Sequence, residues 1–174
     1  YFYVWTAAAA WLACLVLSYL ILRPEGYRRD LKWIIGIGGG CIAFLVPYAY
    51  LLSQRSHTMD DVQLLVMTHA PDLFRVPEVI SYAVVAILMA AALIGVIELR
   101  ERSSVFALSL ALVPIAVFNQ QVITGRSLQP IHYEVFIGNY VAGLALAVSI
   151  GLVVKGIGHT SRFRPAFAVL AAAA

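Results

Sequence analysis

The chain alternates long apolar runs with short polar segments. The runs cover roughly residues 1–22, 33–52, 79–97, 105–123 and 136–157, and a sixth opens after Pro165 and continues to Ala174. Each complete run approaches the ~20 residues that a helix with a 1.5 Å rise needs to cross a ~30 Å hydrocarbon core. In lipid only helices and closed barrels satisfy every backbone group, and a barrel would show strands of about ten residues with alternating polarity. Continuous runs select helices. The pattern predicts an all-α, polytopic transmembrane helical bundle of five spans plus a truncated sixth, forming a single region over 1–174. The start at Tyr1, without an initiator Met, and the stop inside an apolar run point to a piece of a longer protein.

The interruptions carry their own signals. Tyr1, Tyr3, Trp5 and Trp11 near the start of the first run and Tyr19 near its end suit the two interfaces of a membrane helix. A signal peptide fits poorly, because the basic residues follow this run instead of preceding it. In the second run Gly36-Ile-Gly-Gly-Gly40 has no preceding strand, so it reads as a helix-packing surface of the small-xxx-small kind and not as a nucleotide loop. Pro47 and Pro114 are expected to bend or interrupt their helices. The longest polar connection, 53–78, holds a capping-box pattern at Thr58 to Asp61. Val62, Leu65, Val66 and His69 follow at helical spacing, which predicts a short interfacial helix ended by Pro71. Pro77 with Glu78 is suited to begin the next span.

Composition agrees with lipid as the main solvent: 62% of residues are hydrophobic and 12% charged, against ~25% charged in soluble domains. The net charge of +3 resides in short loops. There it reports orientation, not affinity for nucleic acid. The loops at 23–32, 98–104 and 155–165 carry four, two and three Lys/Arg, whereas 53–78 and 119–135 carry two and one. By the positive-inside rule the first set is cytoplasmic and the second lies outside, as in an integral protein of a bacterial cytoplasmic membrane. Cys14 and Cys41 sit inside apolar runs, which excludes a disulfide framework and reads as small core residues.

Candidate chemistry concentrates in Asn119 to Tyr140, NQQVITGRSLQPIHYEVFIGNY, a dense polar stretch between two spans. Arg126 can grip a phosphate or carboxylate bidentately. Gln120, Gln121, Gln129, Asn139 and Tyr140 can hold sugar hydroxyls or one another. His132 and Glu134 have the chemistry of an acid–base pair. Thr124 to Ser127 reads as a turn and Pro130 as the start of a helix. From His132, positions Phe136, Asn139 and Tyr140 recur on one face, which predicts a polar and aromatic stripe descending into the bundle. The competing structural reading pairs Arg126 with Glu134 and uses the amides to satisfy backbone. His132 as an axial ligand to a haem or chlorophyll lacks a second suitably placed His. In the other outward loop His57, Asp60, Asp61 and His69 have ligand chemistry but no metal-site spacing, so they read first as caps and solvated groups and no metal is assigned. Asp60 and Asp61 remain secondary candidates for a metal-assisted transferase.

The 119–140 string, together with THAPDLFRVPE at 68–78, resembles segments of large bacterial multi-pass proteins near the polytopic GT-C glycosyltransferases. The resemblance covers 68–140, less than half of the chain. It implies an enzyme that uses a polyprenyl-phosphate-linked sugar at its outer face. That superfamily carries its catalytic carboxylate motif in an outward loop near the N-terminus, so Asp60 and Asp61 are not assigned that role. The alternative is a non-catalytic transmembrane subunit of a photosynthetic or respiratory type of complex, whose polar stretch docks partner chains or cofactors. A transporter segment ranks third, since no span carries a charge near its centre.

Overall fold

The computed structural model describes residues 2–54, 68–125, 127 and 129–159, and every regular element among them is helical. In chain order these are α1 (Phe2–Leu22), α2 (Tyr27–Ser53), α3 (Val76–Leu93), α4 (Arg102–Thr124), α5 (Pro130–Tyr133), a π-helical turn (Glu134–Gly138) and α6 (Asn139–His159). Five segments are long and apolar enough to cross a membrane, the last running continuously from Pro130 to Gly158. The expected interfacial helix between Thr58 and Pro71 lies outside the described residues up to 67, and 68–70, which it would have included, are not helical; the sixth span after Pro165 also lies outside the described residues.

Helix boundaries differ from the apolar runs because caps and prolines, not hydropathy, set them. Helix α2 starts at Tyr27, inside the basic loop. Helix α3 starts at Val76, with Pro77 in its first turn and the Arg75 backbone N–H donating to the Glu78 carboxylate (3.2 Å). It stops at Leu93, short of Ile97, because Gly95 adopts a left-handed φ of 74°. Both α2 and α4 continue through their internal prolines, Pro47 and Pro114.

Helices α1, α3, α4 and α6 pack together. Val84 and Leu88 of α3, Ala107, Leu110 and Ala111 of α4 and Ala145 of α6 are buried at their centre. Alanine supplies three of these six, and Ser81, Ser109 and Ser149 are buried on the same helices, in keeping with the small residues that let membrane helices approach closely. The Trp11 indole N–H donates to Ser109 Oγ (3.1 Å), tying α1 to α4. Cys14 is buried as expected, and Cys41 is half-buried.

Helix α2 is the exception. Its Tyr27, Leu31 and Ile34 lean on α1, while Trp33, Ile37, Ile42 and Phe44 stay exposed. The expected packing surface at Gly36 to Gly40 therefore has no neighbour among the described residues: each of its four glycines opens onto empty space. Gly36 and Gly40 lie on the face opposite Tyr27, Leu31 and Ile34, which meet α1.

Candidate functional site

The polar stretch lies at one end of the bundle, where the 68–75 loop crosses the end of α4. Gly125 ends that helix with φ 69°, its N–H returning to the Gln121 carbonyl (2.8 Å). Its own carbonyl then accepts from the Thr68 N–H (3.1 Å). His69 donates from Nδ1 to the Val122 carbonyl (3.0 Å), and Gln121 Nε2 donates to the Ala70 carbonyl (2.6 Å). The orphan carbonyls of a helix C-terminus are thus used to seat a loop. Only glycine fits at 125, since a Cβ there would lie 2.9 Å from His69 Nε2.

Deeper in, Asn119 and Glu78 form a buried junction. Asn119 Nδ2 donates to the Asp72 carbonyl (2.7 Å), the Glu78 carboxylate (2.8 Å) and the Ile115 carbonyl (3.0 Å), and its Oδ1 accepts from the Asp72 N–H (3.0 Å). Glu78 is fully buried. It sits in the first turn of α3, where the helix dipole favours a carboxylate.

Arg75 closes the arrangement. Its Nε pairs with Asp72 and its Nη1 with Glu134 (2.9 Å), and its guanidinium lies 5.4 Å from the Phe118 ring centre. Burial works against its charge, but the hydrogen bonds and charges of Asp72 and Glu134 outweigh that and hold its pKa above the ordinary arginine value. The side chains of Arg75, Asp72 and Glu134 are 25%, 22% and 24% exposed, so the triad stands at the rim.

Glu134 opens the π-helical turn. That turn reconciles two requirements on the last span. The inward series runs Tyr133, Gly138, Ala142, Ala145 and Ser149, all buried. Its first step is five residues, which a π turn accommodates. Tyr133 donates to or accepts from Thr6 on α1 through the two hydroxyls. Gly138 leaves room for Pro77 and Phe118, whose nearest atoms a Cβ would meet at 3.1 and 3.4 Å.

The predicted site residues divide accordingly. Gln121 and Glu134 belong to the clamp. Gln120 accepts from Thr124 Oγ1 (2.7 Å) within α4, and Gln129 takes a left-handed φ of 44° as the residue before α5. His132, Phe136, Asn139 and Tyr140 do share a face, but it points away from the bundle: all four are exposed, with His132 stacked on Phe136 at 6.0 Å. The expectation of a stripe entering the bundle is corrected because the small inward series takes the interior. Among the described residues Glu134 pairs with Arg75, a partner the sequence did not offer beside His132 and Arg126. Arg126, His57, Asp60 and Asp61 lie outside the described residues. Among the described residues no group of three or more His, Cys, Asp or Glu could hold a metal ion.

Sequence reasoning passed over Arg75, Asp72, Asn119 and Glu78 as a unit. The available signal was the spacing Asp72, Arg75, Glu78, three charges at steps of three directly before an apolar span. No protein-family profile, curated protein or solved structure matches this chain.

Proposed function

We propose that this chain is a non-catalytic transmembrane unit of a larger membrane assembly and that the exposed face of its last span docks another chain. The observation that carries this reading is Asn139. If Lys155 marks one boundary of that span, the ~20 residues of the hydrocarbon core reach back to about Val135, which sets Asn139 roughly 6 Å inside. Tyr140 and His132 suit an interface unaided. An amide facing lipid does not, because its donors and acceptor lose water without replacement. A neighbouring helix that supplies a hydrogen-bonding side chain at this depth removes the penalty and fixes the register. The clamp fits the same role, since it holds the start of the span rigidly against α3 and α4. The Lys/Arg distribution orients the clamp end outward.

The test is copurification in mild detergent. Asn139→Leu with Tyr140→Leu is expected to release a stoichiometric membrane partner while the chain stays folded. Retention of that partner by the double variant counts against this reading.

A second reading, a GT-C-like transferase acting on a polyprenyl-phosphate-linked sugar, draws on Asp72 and Glu134. Arg75 brings these carboxylates together at the rim, and they have the residue chemistry that general-base activation of an acceptor requires. It predicts that Arg126→Ala abolishes binding of polyprenyl phosphate to the folded protein, and unchanged binding removes it.

A further inference from the structure

The opposite end of the bundle holds a polar cavity and, beside it, an apolar groove. The polar cavity, of about 1220 Å³, lies between the α1–α2 connection and the turn before α4. Three arginines, Arg23, Arg29 and Arg100, and three glutamates, Glu25, Glu98 and Glu101, line it. Arg102 and Ser103 border it and also border the apolar groove, of about 530 Å³. Arg102 is already committed: Nε pairs with Asp30 (2.8 Å) and Nη2 donates to the Glu25 carbonyl (3.3 Å). The left-handed Gly26 makes room for it, since a Cβ there would lie 3.2 Å from Nη2. Arg29 also stands 3.8 Å from Asp30 with its side chain largely exposed, and the polar lining around Arg102 counts as many glutamates as arginines.

The groove runs along the wedge between α1, α2 and α4 at this end. Leu15 and Tyr19 of α1, Trp33 and Ile34 of α2 and Phe106 of α4 line it, and Trp11 meets Phe106 edge-on at 6.0 Å. From Tyr19 to Trp11 it spans about 12 Å of helix, against roughly 15 Å for one leaflet of the hydrocarbon core.

We propose that this composite cavity binds an aminophospholipid, with one acyl chain in the groove and its phosphoethanolamine head in the polar part. The arginine forks suit the phosphate, and the carboxylates suit an ammonium group with three N–H donors. An anionic phosphatidylglycerol head satisfies the arginines but adds a charge that the three glutamates repel. The trimethylated head of phosphatidylcholine has no N–H to donate.

The test is native mass spectrometry of the delipidated full chain in detergent, offered equal amounts of phosphatidylethanolamine, phosphatidylglycerol and phosphatidylcholine with identical acyl chains. The ethanolamine lipid is expected to be retained at least about fivefold over either competitor, a difference of roughly 1 kcal/mol. Glu98→Gln with Glu101→Gln is expected to reduce that adduct to the level of the choline lipid. Ile34→Trp, which fills the groove, is expected to lower all three adducts. Equal retention of the three lipids by the unaltered chain overturns the proposal without any variant, and so does retention that neither variant changes.

Discussion

Two arginines, one at each end of the bundle, each bridge distant parts of the chain, and the difference between them separates a structural lock from a site. Arg75 reaches Glu134 and Asp72 with its side chain 25% exposed, over the face of Phe118. Arg102 reaches Asp30 with its side chain 54% exposed. The ion-pair distances are nearly equal, 2.9 and 2.8 Å. The surroundings decide their worth. A pair shielded from water and supported by further hydrogen bonds resists the loss of one partner, because the other is left charged and desolvated. A water-exposed pair contributes little. At the Arg75 end Arg75, Asn119, Gln121 and Glu134 each engage a distant part of the chain, so the clamp fixes geometry. At the Arg102 end three arginines and three glutamates line an open cavity around Asp30, which pairs with Arg102 (2.8 Å) and more loosely with Arg29 (3.8 Å).

The contrast can be broken most strongly at Arg75. Arg75→Met is expected to destabilise the protein by about 2–3 kcal/mol, below the full range for a buried pair because the triad is partly exposed. Thermal unfolding in detergent reads this, and a change under about 0.5 kcal/mol would make the clamp an ordinary surface pair. Gly125→Ala comes next, at about 1–2 kcal/mol, from a left-handed backbone and the encroachment on His69. The same melt with His69→Ala added separates the two contributions, since the second change relieves only the contact. Arg102→Gln should be smallest, about 0.5 kcal/mol, and should diminish further in high salt. An effect equal to that of Arg75→Met would erase the distinction between the ends.

How far the sequence reaches follows the same division. The spans were legible because hydropathy is a one-dimensional property, and Pro77 and Pro130 announced helix starts through local geometry alone. The Gln121 contact with the Ala70 carbonyl was legible in kind, as an amide at a helix end seeking a carbonyl. The partner of Glu134 was not, because Arg75 lies 59 positions away and only the packing of α3 on α6 unites them. The direction of the His132 to Tyr140 stripe was hidden for another reason. Periodicity shows that positions share a face but not which face turns inward, and that choice rested on where Gly138, Ala142 and Ala145 could pack. The glycines of α2 show the converse: a motif for close approach was plain in the sequence, yet the helix meets α1 with its other side.

The central claim is that the exposed face of the last span is covered by another chain. The most direct measurement places a photo-crosslinking amino acid at position 140 and irradiates intact membranes. A single discrete protein adduct, identified by mass spectrometry and abolished by Asn139→Leu, is the predicted result. Adducts to lipid alone, or a protein adduct indifferent to Asn139→Leu, would contradict the account.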